Sequence, residues 1–457
     1  MCKKILTIIL LLVLFATSGF GCKGAMTTEQ QAAIKPVTLN FWTIYDDVGQ
    51  LKEFAKKYQA LRPHVKINIR QIRYDEFDKL FTNSLADDVQ PDIVSLNVRW
   101  LKRYTGRLST MPTTVKMGRL VAKNSYTEEK DVIIDTMNMP VLRDVRANYI
   151  KSIGEDVIIS DKVYGLPLAA DSLAIYYNRD ILDRAGVAEP PKNWEEFMDA
   201  VMKTTKFNAA GDIVQSGVAL GTSSNIDNSA DLLALFMSQS GVKVTQGNYV
   251  RFADGLEKAN ENSPVIKALR FYTDFANPTK KAYSWNEKMG NALDQFARGK
   301  VAFYFGYAYD YPGIKSRAPQ MNMEILPMFQ LNPDSPSNVI NYWVQSVVKK
   351  SKNQNEAWDF VRFITTQENV KTYTEATFRP SPYRSQIVEQ QKNVNLAPFA
   401  SQVLFAQNWY RGKNVDVATN ALKNLVTDYL KPYGEGDPIK RDVKLIINAA
   451  TLVQQTM

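Results

Sequence analysis

Residues 37–96 read VTLNFWTIYDDVGQLKEFAKKYQALRPHVKINIRQIRYDEFDKLFTNSLADDVQPDIVSL, and this stretch decides the fold. Val37 to Thr43 reads as a strand. Val48, Leu51, Phe54, Ala55, Tyr58 and Leu61 then recur at three- and four-residue spacing, the period of one helix face, until Pro63 stops the run. Val65, Ile67 and Ile69 alternate with Lys66, Asn68 and Arg70, which is the period of a second strand. Phe77, Leu80, Phe81 and Leu85 mark the next helix, and Asp92 to Leu96 the next strand. Strand, helix, strand, helix, strand is the pattern of a parallel sheet covered on both faces.

The alternation resumes beyond residue 170. Ser172 to Tyr177 is strand-like, and Asn193-Trp194-Glu195-Glu196 opens a helix with a capping-box arrangement. Ala357, Phe360, Val361 and Ile364 share one face of a helix nearer the C-terminus. There is no internal repeat and no low-complexity tract. A chain of 457 residues suggests two or three domains, and two α/β lobes are the natural count.

At the N-terminus, Lys3 and Lys4 precede an almost unbroken apolar run from Ile5 to Ala16, followed by the small residues Ser18, Gly19 and Gly21. Residues 1–21 therefore read as a signal peptide. The run is too short for a transmembrane helix, which needs about 20 residues, and no later segment is apolar enough. Gly19-Phe20-Gly21-Cys22 resembles the bacterial lipobox, departing from it at Gly19, where Leu is usual. The resemblance implies acylation of Cys22, with ordinary cleavage and a free thiol as the alternative. Residues 22–35 are polar and lack a strong period, which suits a tether. The expected location is the outer face of the cytoplasmic membrane, extracellular or periplasmic. Cys2 leaves with the leader, so no internal disulfide is possible and the core alone holds the fold.

Composition narrows the chemistry. The hydrophobic fraction of 45% and charged fraction of 23% are those of a globular protein. The net charge of +9 comes from Lys and Arg dispersed in singles and pairs such as Lys56-Lys57, not from a basic stripe, so no nucleic-acid partner is expected. His64 is the only histidine, and it lies at the turn into a strand. Ser-His-Asp and Cys-His machinery and His-rich zinc sites are thereby excluded, and Cys22 alone cannot build a thiolate cluster. No glycine-rich phosphate loop is present. No cofactor and no catalytic residue is implied. A glycosidase pair among the 47 acidic residues stays open.

A series of segments in fixed order gives positive evidence. Val37-Thr38-Leu39-Asn40-Phe41-Trp42 is followed by Gln90-Pro91-Asp92-Ile93-Val94 with Trp100, then by Tyr164-Gly165-Leu166-Pro167-Leu168, Asp171 and Tyr176-Tyr177-Asn178-Arg179-Asp180. Ala185-Gly186-Val187 and Pro190-Pro191-Lys192-Asn193-Trp194-Glu195-Glu196-Phe197 come next. Phe296-Ala297-Arg298-Gly299-Lys300-Val301-Ala302-Phe303, then Lys349-Lys350-Ser351-Lys352, Ala357-Trp358-Asp359-Phe360 and Arg379-Pro380 complete the set. Together they resemble the family 1 extracellular solute-binding proteins, which include the maltose-binding proteins. The resemblance spans residues 36 to 385 and leaves the last 70 or so unmarked. The chain departs from it at Asp87-Asp88-Val89-Gln90 and at Asn341-Tyr342-Trp343, where the family often has glycines.

The resemblance implies a two-lobed periplasmic-binding-protein-like α/β fold of type II, with ligand in the cleft between lobes. It places the first lobe at 36–170 and 294–342, and the second at 171–293 and 343–457. It further implies a monomer that carries a mono- or oligosaccharide to ABC permease subunits in the membrane, anchored there by its lipid. Open α/β sheets bind ligands beyond the carboxyl ends of their strands. Sugars need flat apolar faces together with hydrogen-bonding side chains. These two requirements select Trp42, Tyr45, Asp46, Asn97, Trp100, Asp171, Tyr307, Tyr309 and Trp343, and Arg379 of the family-like Arg379-Pro380 pair joins them. Trp194 and Trp358 lie on helices and are expected in the core. Three other readings remain: a cell-surface glycosidase, a passive adhesin, and a tyrosine-lined site for a non-sugar solute such as ferric iron.

Overall fold

The computed structural model of the chain describes residues 26–122 and 130–457. The leader, residues 1–21, and Cys22 lie outside them. The first lobe is built on a five-stranded sheet whose order is Val65–Gln71, Val37–Thr43, Ile93–Asn97, Trp343–Val347 and Leu166–Pro167. The first three strands are parallel, with Val37 opposite Val65 and Phe41 opposite Ile93. Leu39, Phe41, Ile93, Val94 and Leu96 are buried, as expected of strands covered on both faces. Helix Val48–Leu61 returns between the first two strands. Asp47 caps it by accepting from the Gln50 N–H, its buried face is Leu51, Phe54 and Tyr58, and it ends at Leu61, directly before Arg62-Pro63.

The second lobe carries a five-stranded sheet in the order Lys206–Phe207, Ile213–Val218, Val301–Gly306, Ala174–Asn178 and Met323–Pro327. Helix Trp194–Thr204 covers it, opened by Asn193, whose side chain accepts from the Glu196 N–H. Trp194 and Trp358 are buried. A third, three-stranded sheet of Asp171–Ser172, Asn338–Asn341 and Ala406–Gln407 joins the lobes. The chain passes from one lobe to the other along each of these strands, so it crosses three times.

These connections correct the expected lobe boundaries. Val301–Gly306 lies in the second sheet, between Ile213–Val218 and Ala174–Asn178, and not in the first lobe. Trp343–Val347 lies in the first sheet, antiparallel to Ile93–Asn97, and not in the second lobe. Both strands are almost wholly buried, so their residues carry no polar face to show which sheet they join. The helices Gln354–Ile364 and Gln367–Thr377 also pack on the first lobe. The C-terminal helices Val415–Leu430 and Pro438–Gln454 pack on each other, and the first of them on helices Ser229–Gln239 and Pro264–Asp274 of the second lobe.

Part of the expected tether is folded. Thr28–Ala33 is a helix with a complete Thr27/Gln30 capping box. It lies against a two-stranded ribbon, Thr114–Ala122 paired with Lys130–Asn138, and Gln30 Nε2 donates to the Val132 carbonyl at 2.8 Å. Gly118 permits this approach, because a Cβ there would stand 2.4 Å from the Ala33 carbonyl oxygen. No helix among the described residues is long and apolar enough to cross a membrane.

Candidate functional site

A cavity of about 570 Å3 lies between the lobes beside the joining sheet. The first lobe contributes Tyr45, Tyr74, Asn97 and Trp343. Tyr45 follows strand Val37–Thr43, Tyr74 follows Val65–Gln71 and Asn97 ends Ile93–Asn97, so all three stand at the carboxyl ends of parallel strands. The second lobe contributes Asp227, Asn228 and Asp231 around the start of helix Ser229–Gln239, and Tyr304, Tyr307, Tyr309 and Asp310 from the strand Val301–Gly306 and the turn beyond it. Val415 and Thr419 of the C-terminal region complete the wall.

Aromatic rings face the cavity from both lobes. Trp343 lies 5.2 Å from Tyr45, centroid to centroid, and is backed by Trp100 at 5.9 Å, which itself stacks on Phe77. Opposite, Tyr307 and Tyr309 stack on each other at 5.4 Å. Between them runs a polar floor. Arg99 Nη1 pairs with Asp231 Oδ1 at 2.8 Å, and the same carboxylate accepts from Tyr307 Oη and Trp409 Nε1, both at 2.6 Å. Asn97 Nδ2 donates to Asn341 Oδ1 at 2.8 Å.

Two carboxyls are strongly perturbed. Burial pushes Asp171 up to about 7, against the opposing pull of the Ala308 N–H, Arg379 and the Tyr309 N–H. Burial likewise raises Asp310 to about 7; the Tyr307 N–H and Tyr304 hydroxyl oppose this, and the like charge of Asp227 adds to it. Arg379 donates to the Tyr45 carbonyl at 3.0 Å. Burial alone would lower its pKa, but Tyr373, Asp46 and Asp171 more than offset that, and it is held above its usual value.

Six of the ten expected residues line the cavity: Tyr45, Asn97, Tyr307, Tyr309, Trp343 and Arg379. The other four do not, and each is corrected for a physical reason. Trp42 is buried in the first sheet with the Arg70 guanidinium over its ring. Asp46 is buried below the cavity, accepting from Thr43 and Gln345. Trp100 is packed behind Trp343. Asp171 is buried and accepts three backbone N–H groups, of Ser172, Ala308 and Tyr309, so it holds the Tyr307–Tyr309 turn in place and does not face the cavity.

Several lining residues were missed. Tyr74, Arg99 and Asp310 obey the same strand-end rule that found Tyr45 and Asn97. Asp227 and Asn228 end the ten-residue loop after strand Ile213–Val218, Asp231 lies in the first turn of the helix beyond it, and no local pattern marks them. Val415 and Thr419 come from the unmarked tail. Tyr304 lies inside a strand, where its neighbours Phe303 and Phe305 are core.

Two α/β lobes joined by three strands, with an aromatic and polar cavity between them, define a protein that closes on a small ligand. The chain belongs to the bacterial extracellular solute-binding protein family, whose pattern matches residues 50–398. Among curated relatives, the multiple sugar-binding protein of Streptococcus mutans is 25% identical over 426 residues, covering 86% of this chain and 88% of that protein. A putative binding protein of Brucella abortus is 21% identical over 404 residues, 85% of each chain. Among solved structures, a Thermotoga lettingae ABC transporter solute-binding protein bound with α-D-tagatose superposes with a TM-score of 0.68 at 17% identity, covering 91% of this chain and 99% of that one. The maltotriose-binding protein of Thermus thermophilus gives 0.64 at 17%, covering 91% and 99%. At these identities the superpositions establish the fold.

Proposed function

We propose that this protein captures a saccharide outside the cytoplasm and presents it to an ABC importer, held at the membrane by a lipid on Cys22 and acting as a monomer without catalysis. The observation that carries the reading is the pairing of aromatic faces with hydrogen-bonding groups across one cavity. Tyr45 and Trp343 offer flat apolar surface to the C–H patches of a pyranose, while Asn97, Asn341 and Arg379 stand within the same space to meet hydroxyls. Relatives named for multiple sugars, galactooligosaccharides and melibiose/raffinose/stachyose support the choice of ligand class.

The ferric-iron alternative is disfavoured by the state of the tyrosines. Tyr307 donates its hydroxyl to Asp231 and Tyr304 donates to Asp310, and among the described residues no group of three or more His, Cys, Asp or Glu side chains converges. The test is a thermal-shift screen over saccharides, amino acids, peptides and ferric iron. Ligand at 100 times its Kd adds about 2.7 kcal/mol, a rise of roughly 3 K for a unit of this length. Shifts with amino acids, peptides or iron, and none with any saccharide, would reverse the assignment. Release of shorter sugars from an oligosaccharide would make it a hydrolase.

A further inference from the structure

The charges of the cavity do not all balance, and the imbalance is local. Arg99 is paired with Asp231. Arg379 has no ion pair among the described residues, and the buried Asp46 and Asp171 are the carboxyls whose charge acts on it. Asp227 and Asp310 are left over. Neither has a Lys or Arg nitrogen within ion-pair distance among the described residues, and Arg317, the cation nearest in effect to Asp310, is itself engaged by Asp294 at 2.6 Å.

The hydrogen-bond inventory of that wall is equally one-sided. Asp310 accepts through Oδ2 only, from the Tyr307 N–H at 3.1 Å and the Tyr304 hydroxyl at 3.2 Å, which leaves Oδ1 without a donor among the described residues. Asp227 Oδ2 accepts from Asn291 Nδ2 at 3.0 Å, and its Oδ1 meets no donor among the described residues. Between them in sequence, Asn228 spends its Nδ2 on the Phe305 carbonyl at 2.8 Å. That bond fixes the amide's orientation and leaves Oδ1 buried with no partner among the described residues. One wall of the cavity thus presents two carboxylates, each with an oxygen that meets no donor among the described residues. Asp227 is exposed and Asp310 part-buried, so water meets these oxygens in the open cavity, and an occupant that displaces it must bring N–H or O–H groups of its own. A hydroxyl supplies one donor and carries no charge; an ammonium supplies three donors and a positive charge. The stacked rings of Tyr307 and Tyr309 beside Asp310 add a surface that attracts a cation.

We infer that the ligand carries a protonated amine seated against Asp227 and Asp310, so that the captured saccharide is an amino sugar. This rests on the saccharide reading above and narrows it. Asp227 and Asp310 are specificity-determining residues, and Tyr45 and Trp343 hold the sugar ring from the other lobe.

The experiment is calorimetric titration at pH 7 with matched sets: glucosamine, galactosamine and β-1,4 glucosamine oligomers, each beside its neutral hydroxyl parent and its N-acetyl form. Spermidine and calcium serve as cations without a sugar. The ammonium form is expected to bind at least tenfold more tightly than its hydroxyl parent. That ratio should collapse at least tenfold in Asp310→Asn and, measured separately in case one variant folds poorly, in Asp227→Asn. Equal or tighter binding of the neutral or N-acetyl form overturns the inference and leaves saccharide capture standing. Binding of spermidine or calcium with no sugar binding overturns the amino-sugar assignment and the saccharide reading together, as does the absence of binding by every probe.

Discussion

Arg99, from the turn after the third strand of the first lobe, places Nη1 2.8 Å from Oδ1 of Asp231, in the first turn of a second-lobe helix, and both side chains are nearly excluded from solvent. The pair is an ionic contact across the cleft floor. It is supported by Tyr307 and Trp409 on the acid and by the Trp409 ring, 5.3 Å from the guanidinium carbon, on the base.

Removing one partner of a buried pair leaves an uncompensated charge, which costs about 3 to 5 kcal/mol. Arg99→Met should therefore lower the melting temperature by roughly 3 to 5 K, at an unfolding entropy of about 2.1 cal/mol/K per residue. The double variant Arg99→Met/Asp231→Asn should recover much of the loss. A double variant as unstable as the sum of the singles would show that the two side chains do not interact.

Trp343 is half-buried at the cavity edge, whereas Trp358 is deep in the first lobe. Trp343→Ala should leave the ligand-free melting temperature within about 2 K of the parent and weaken saccharide capture about 30-fold, the effect of losing about 2 kcal/mol from an aromatic anchor. Trp358→Ala should do the reverse, costing about 3 to 5 kcal/mol of stability. Affinity measured beside melting separates the two.

Asp310 has a folded-state pKa near 7, well above that of an unfolded carboxyl. The folded protein then binds more protons than the unfolded chain between about pH 4 and pH 7, so ionisation removes stability as the pH rises through that window. Asp310→Asn has no such ionisation. Its stability relative to the parent should climb from pH 4 to pH 7 and level off above. Urea titrations of both proteins across that range measure the difference, and a flat difference would place the Asp310 pKa near its ordinary value.

Replacement of Cys22 by Ser should move the protein from the membrane pellet to the soluble fraction. Retention in the pellet would assign the anchor elsewhere.

A different outcome is expected at Gly118→Val, whose side chain would collide with the Ala33 carbonyl and lift helix Thr28–Ala33 off the ribbon. Proteolysis between residues 26 and 36 should quicken, with affinity for ligand unchanged. Unaltered proteolysis would mean that the helix does not need this contact.

Much of the fold was legible because its first half is written in local periods. Leu51, Phe54 and Tyr58 are buried at helical spacing, and Val65 is buried where Lys66 is not. Strand partnership was not legible. Val301–Gly306 and Trp343–Val347 are buried along nearly their whole lengths, and a strand without a polar face does not announce its sheet. The site divided in the same way. Tyr45, Asn97 and Trp343 stand where the ends of strands predict, while Asp227 and Asn228 reach the cavity only through tertiary packing. Asp171 was placed in the right neighbourhood but the wrong role. A carboxylate that accepts three backbone N–H groups has the same one-letter code as one that faces a ligand.

The docked helix at Thr28 has a consequence for delivery. With a lipid on Cys22, only five peptide steps separate the membrane from Thr27, a reach of at most about 18 Å. The protein would explore a shallow layer just above the bilayer, so that it meets a permease by a search in two dimensions rather than through the bulk. A weak docking surface would then suffice, and the protein need not hold its permease tightly to find it again after each release.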